Sequence, residues 1–167
     1  MGLDMYLISL PKISGMSYDE IVNANRYLTK HEQAQDEIYK KVKPYIKHFE
    51  QYSYSWNSLY EEMASWRKAN QIHQWFVNTL HNGTDDPCFT VEVTKGQLIE
   101  LQKLCLSVLA KKEHPSYSLP TLSGSFFGNT SYSPFYYREI FETEAILSCL
   151  NKNFNFETHY LFYQCSW

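Results

Sequence analysis

The sequence predicts an α+β fold: one domain over residues 1–167, with a small mixed or mainly antiparallel sheet packed with about four helices. Three observations carry this. Apolar, β-compatible runs stand near both ends, at 3–9 and 156–165. Helix-start signals stand between them at Ser17, Thr94 and Ser133-Pro134. The resulting order of elements, β-α-α-β-α-β-α-β, suggests a mixed or antiparallel sheet rather than two separate domains.

The first run, 3–9, ends at Pro11 and Gly15. Ser17 and Glu20 form a capping box. The helix they open carries an apolar seam through Ile21, Ala24, Leu28, His31, Gln35, Ile38 and Val42, and Pro44 ends or kinks it. Residues 17–57 are expected to be a helical insert, whose segment 49–57 fits either a loop or an irregular strand. Residues 59–80 are expected to be mainly helical, with a break before Trp66 and a stop at Asn82-Gly83. The alternation over 89–93 predicts a strand, and Thr94 with Gln97 caps a helix presenting Leu98, Leu101, Cys105, Val108 and Leu109. A loop follows, holding a short strand at Phe126-Phe127. Ser133-Pro134 then opens a helix to about Leu150, with Tyr137, Ile140, Phe141 and Leu147 on its face. The strand over 156–165 is expected to pair with that over 3–9, because the ends of a domain often lie close.

The net charge of −3 and the aromatic content of 17% narrow the function classes. A duplex nucleic-acid binder needs a basic face, and the one basic run, at Lys40, Lys41, Lys43, Lys47 and His48, reads as a solvated helix surface. Neither duplex nucleic acid nor a membrane is expected as a partner. The four cysteines, Cys88, Cys105, Cys149 and Cys165, form no C-x-x-C pair. With no signal peptide and no apolar span, the expectation is a soluble protein of a reducing cytoplasm. No metal box, P-loop or nucleophile elbow occurs, so no catalytic residue, metal or cofactor is assigned.

The segment 66–76 is the most informative. Drawn as a helix, it puts Trp66, Ala69, His73, Phe76, Val77 and Leu80 on one face, with Arg67, Asn70 and Gln74 along its edge. An imidazole in an apolar stripe, flanked by a guanidinium and amides, suits a pocket wall. Arg67 is the expected clamp for phosphate or carboxylate. Lys68 points nearly opposite His73 on this drawing and is left outside the pocket. The turn at 123–130, with Ser123, Gly124 and Gly128, offers backbone N–H groups to an anion. Tyr132 and Tyr136 offer rings for stacking, and Asp4 lies inside the first strand. Glu144 falls on an apolar helix face, where Arg67 is its natural partner. A structural alternative stands beside each reading: a satisfied core histidine, a plain turn, and packed tyrosines.

The opening Met1-Gly2-Leu3-Asp4-Met5-Tyr6-Leu7, the segment Trp66-Arg67-Lys68-Ala69-Asn70-Gln71-Ile72-His73-Gln74-Trp75-Phe76 and residues 123–136 resemble a family of small phage and prophage proteins. These open with MGLDMYL, carry W-R-K-A-N-x-I-H-x-W-F, and later an SGFFFG-x-T-x-Y segment. The present chain departs at Ser125, where the pattern has Phe, and at Ser133-Pro134-Phe135, where an acidic residue and Trp are common. The resemblance brings no activity with it, but a phage setting favours counter-defence roles. Three functions are therefore expected, in this order. The first is non-catalytic binding of a phosphorylated small molecule, such as a nucleotide immune signal, by sequestration. The second is a protein–protein inhibitor of a host defence complex. The third is a small nucleotide hydrolase using His73 with Asp4 or Glu144.

Overall fold

The computed structural model describes residues 2–28 and 37–167. In chain order its elements are β1 (Asp4–Pro11), α1 (Tyr18–Leu28), α2 (Glu37–Val42), β2 (Lys47–Gln51), β3 (Tyr54–Ser58), β4 (Glu61–Arg67), α3 (Asn70–Leu80), β5 (Thr90–Glu92), α4 (Lys95–Leu109), α5 (Pro134–Asn153) and β6 (His159–Ser166). The fold is α+β, with antiparallel sheets of four and two strands.

The two outer runs pair as expected. Strands β1 and β6 lie antiparallel at the centre of the sheet β4-β1-β6-β5, with Asp4 opposite Ser166 and Pro11 opposite His159. Side chains alternate across a strand, so this pair serves two cores. Met5, Leu7, Leu161, Tyr163 and Cys165 face a large core shared with α3, α4 and α5. Leu10 and Phe162 face a smaller core with Ile21 and Ala24 of α1, Val42 and Leu59. Each such side chain contributes roughly 1.5–3 kcal/mol when fully buried.

The capping signals hold. Ser17 N–H donates to Glu20 Oε2 at 2.7 Å, and Glu20 N–H donates to Ser17 Oγ at 3.3 Å. Thr94 and Gln97 make the equivalent box. Pro44 lies in a single 3₁₀ turn, Lys43–Tyr45, after α2. The seam residues His31 and Gln35 lie outside the described residues, as does the middle of the expected insert. The remainder of that insert is not purely helical: β2 and β3 form a hairpin with Lys47 opposite Ser58. Strand β5 occupies the expected place, and Asn82 and Gly83, both at positive φ, end α3.

The largest correction concerns residues 61–67. They are a strand and not part of a helix, so Trp66 and Arg67 do not share a helical face with His73. The segment carries a period of two: Ala64 and Trp66 are buried, while Ser65 and Arg67 are exposed. Strand β1 offers this alternation a free edge, with Met5 opposite Trp66 and Asp4 opposite Arg67. Tertiary pairing thus overrides local helix propensity. Lys68 then turns the chain at φ 63°, and its N–H donates to Leu3 O at 2.8 Å. Two smaller corrections follow from burial. Phe126-Phe127 is not a strand but part of a turn, with Phe126 exposed and Phe127 buried. On α5, Phe141 is exposed, and the buried face is Tyr136, Ile140, Thr143, Leu147 and Leu150.

Candidate functional site

The residues expected to line one pocket fall into two groups. His73, on the sheet-facing side of α3, is fully buried. Its Nδ1 lies 2.7 Å from the Tyr163 hydroxyl and its Nε2 lies 2.9 Å from Asp85 Oδ1. A neutral ring satisfies both, with Nε2–H donating to the carboxylate and Nδ1 accepting from the phenol. Burial pushes the His73 pKa down against the opposing pull of Asp85, and burial pushes that of Tyr163 up. Phe127 packs edge-on to His73, with centroids 5.5 Å apart. His73 therefore joins α3, β6 and the Asp85 loop inside the core.

Asn70 is equally buried and equally committed. Its Nδ2 donates to Phe127 O and Asn129 O, each at 3.1 Å, and its Oδ1 accepts from Leu122 N–H at 3.1 Å. One amide thus fixes both arms of the 122–129 loop. Gln74 is half-buried and donates to Asn78 Oδ1 on the same helix. Ser123 and Gly124 are exposed, and Gly124 makes room for the Phe127 ring: a Cβ there would lie 2.6 Å from Phe127 Cδ2. Tyr132 packs edge-on against His114 and Tyr136. Glu144 accepts from Gln102 Nε2 at 2.9 Å, so the expected Arg67–Glu144 pair does not form. Arg67 pairs with Asp4, Nε to Oδ1 at 3.6 Å, because register places these residues opposite each other across β4 and β1.

A pocket of about 230 Å³ lies where β4 turns into α3 and meets the start of α5. Of the expected residues, Arg67, Gly128 and Tyr136 line it. The rest of the lining includes Lys68, Gln71, Ser133, Phe135 and Glu139. Lys68, which the helical drawing excluded, enters because the chain turns there. Gly128, at φ 94°, lets its backbone approach: a Cβ would lie 3.1 Å from Lys68 Cβ and 3.3 Å from Lys68 O. Among the described residues, Lys68 Nζ has no ion pair, and Arg67 has only the long contact to Asp4.

Ser133 stands at the N-cap of α5 but does not cap it, and its buried Oγ has no hydrogen-bond partner. The N–H groups of Phe135 and Tyr136 therefore lack an acceptor from the helix or its cap. Tyr136 turns its hydroxyl inward to donate to Leu119 O at 2.7 Å. Further along the same helix, Glu139 also lines the pocket, and its Oε2 accepts from Gln71 Nε2 at 2.9 Å. Burial raises the Glu139 pKa, and the Gln71 hydrogen bond opposes this.

No family model, curated protein or solved structure matches this chain.

The pocket is therefore read from its own chemistry. Two cations and an uncapped helix start make one side attractive to an anion. Another part of the lining carries acceptors. Among the described residues no group of three His, Cys, Asp or Glu side chains is arranged to hold a metal, and no helix is long and apolar enough to cross a membrane. Sequence reasoning missed Gln71, Ser133 and Glu139. Their spacing carried one usable signal: an N-cap serine and proline followed by Glu139 places that carboxylate one turn into the helix, near its open end.

Proposed function

We propose that this chain is a non-catalytic binding protein for a phosphorylated small molecule, held between Arg67, Lys68 and the start of α5. The observation that carries this is the juxtaposition of two incompletely neutralised cations with a helix whose N-cap serine leaves its first N–H groups unbonded. A phosphate offers acceptors to both. Sequestration of a nucleotide signal fits this pocket and the phage resemblance together. The hydrolase reading loses support, because both ring nitrogens of His73 are occupied and the ring stands apart from the Arg67–Lys68 pocket. The inhibitor reading keeps one specific feature: the β2–β3 hairpin exposes Tyr52, Tyr54 and Trp56.

Calorimetric titration with inorganic phosphate and with adenosine 5′-monophosphate tests the proposal. Binding is expected to weaken with added salt, and Lys68→Ala is expected to cost about 1.5–3 kcal/mol, the range for a charge-assisted hydrogen bond. Arg67→Ala is expected to act in the same direction. Recovery of unaltered nucleotide after heating the complex distinguishes binding from catalysis. Full affinity in the Lys68→Ala protein counts against this site.

A further inference from the structure

Glu139 and Gln71 give part of the pocket lining a chemistry different from that of the cations. Glu139 carries two acceptor oxygens, and the only hydrogen bond to them among the described residues comes from Gln71 at 2.9 Å. Gln71 is itself buried, with its Nε2 spent on Glu139 and its Oε1 free of any hydrogen bond among the described residues. A carboxylate and a carbonyl oxygen thus stand together on a wall that lacks donors to satisfy them. Both acceptors keep access from the pocket, and the partial burial that raises the Glu139 pKa lets a ligand's donors replace water there. A ligand on this wall must bring hydrogen-bond donors.

The wall lies close to the anion side. Gln71 is four residues beyond Arg67, and its amide reaches Glu139 directly. Behind it, Trp66 Nε1 donates to Thr143 Oγ1 at 3.0 Å, and Thr143 Oγ1 donates to Glu139 O at 2.7 Å, which ties α5 to β4. The donors must therefore sit a short reach from the phosphate, as sugar hydroxyls do. At the pocket rim Phe135 is 64% exposed. Its ring carries the Arg138 guanidinium 5.1 Å from its centroid, and its exposed remainder offers apolar surface to a planar group standing out of the pocket.

We propose that the pocket selects ribonucleoside 5′-phosphates, with the ribose 2′- and 3′-hydroxyls donating to Glu139 and Gln71, the phosphate on Arg67 and Lys68, and the base against Phe135. This rests on the phosphate reading above and adds what that reading leaves open, discrimination of ribose from deoxyribose. Glu139 and Gln71 are then the residues that determine specificity.

Titrations of adenosine 5′-monophosphate, its 2′-deoxy and 2′,3′-dideoxy analogues, and inorganic phosphate test this. Each lost hydroxyl is expected to weaken binding about tenfold. Glu139→Gln keeps the shape and the bond to Gln71 but weakens the acceptor. It is expected to bind the deoxy analogue as wild type does, while losing most of the preference for ribose. Gln71→Met is a second variant that removes the carbonyl acceptor together with the hydrogen bond to Glu139, so it is also expected to lose the preference for ribose, and thermal melts confirm that both variants are folded. Equal affinity for ribo and deoxy analogues overturns the ribose assignment and leaves the phosphate site standing. No binding of any nucleotide or of phosphate overturns both.

Discussion

A single neutral imidazole ties three parts of this molecule together, and its protonation has a calculable sign. The folded pKa of His73 lies below the ordinary 6.5. Below that pH the unfolded chain takes up a proton that the native ring refuses, so stability is fully present above about pH 6.5 and declines as pH falls. Urea denaturation at pH 7.5 and 5.5 is expected to show this loss, and His73→Gln is expected to show less of it. Tyr163→Phe tests the other end of the contact. It leaves Nδ1 buried without a donor and should cost about 1–3 kcal/mol in the same measurement. Loss of nothing measurable would place the tyrosine hydroxyl outside the network. The sequence made the polarity of His73 visible but not its partners, because Asp85 and Tyr163 stand 12 and 90 residues away. For Arg67 the chemistry was legible and the geometry was not: its carboxylate partner is Asp4, chosen by strand register rather than by helical spacing.

Elements announced by local signals were legible; those made by pairing were not. The boxes at Ser17 and Thr94 fix helix starts within four residues of sequence, so reading them needs no tertiary knowledge. Thr94→Ala should cost about 1 kcal/mol by thermal or urea denaturation, the usual value for a lost N-cap. Strand β4 shows the opposite case. Its alternation is only seven residues long and runs into the helix α3, so the two periods blur until β1 is present to choose between them. The loop at 122–129 depends on small residues as much as on Asn70. Gly124→Ala would push a methyl into the Phe127 ring and should lower the melting temperature while displacing the Gly128 wall of the pocket. A melting curve unchanged from wild type would mean that the ring can move aside.

At the scale of the whole molecule, the sheet separates two unequal cores, and among the described residues the β2–β3 hairpin is anchored only at its base, where buried Ser58 donates to Asn25 Oδ1 of α1 at 3.2 Å and Lys47 donates to Glu61. Phe49 stacks on Trp56 with centroids 5.6 Å apart, but Tyr52 and Tyr54 are almost bare. Few buried contacts mean low local stability. Amide exchange is expected to be fast in β2 and β3 and slowest in β1 and β6; equal protection would show that the hairpin is held by more than its own pairing. The α+β class itself was readable because terminal strands and internal helix starts are both local features, whereas the strand order needed the finished sheet. That order governs time as well as space. The strand that divides β1 from β5 is β6, which comes after both in the chain. Until it emerges from the ribosome, β1 can pair only with β4, and the lane between β1 and β5 is empty. A nascent chain of this protein must therefore carry the inner edge of β1 open while every element between β1 and β6 is made, and close it in one step when β6 arrives, the stage at which a chaperone has most to protect.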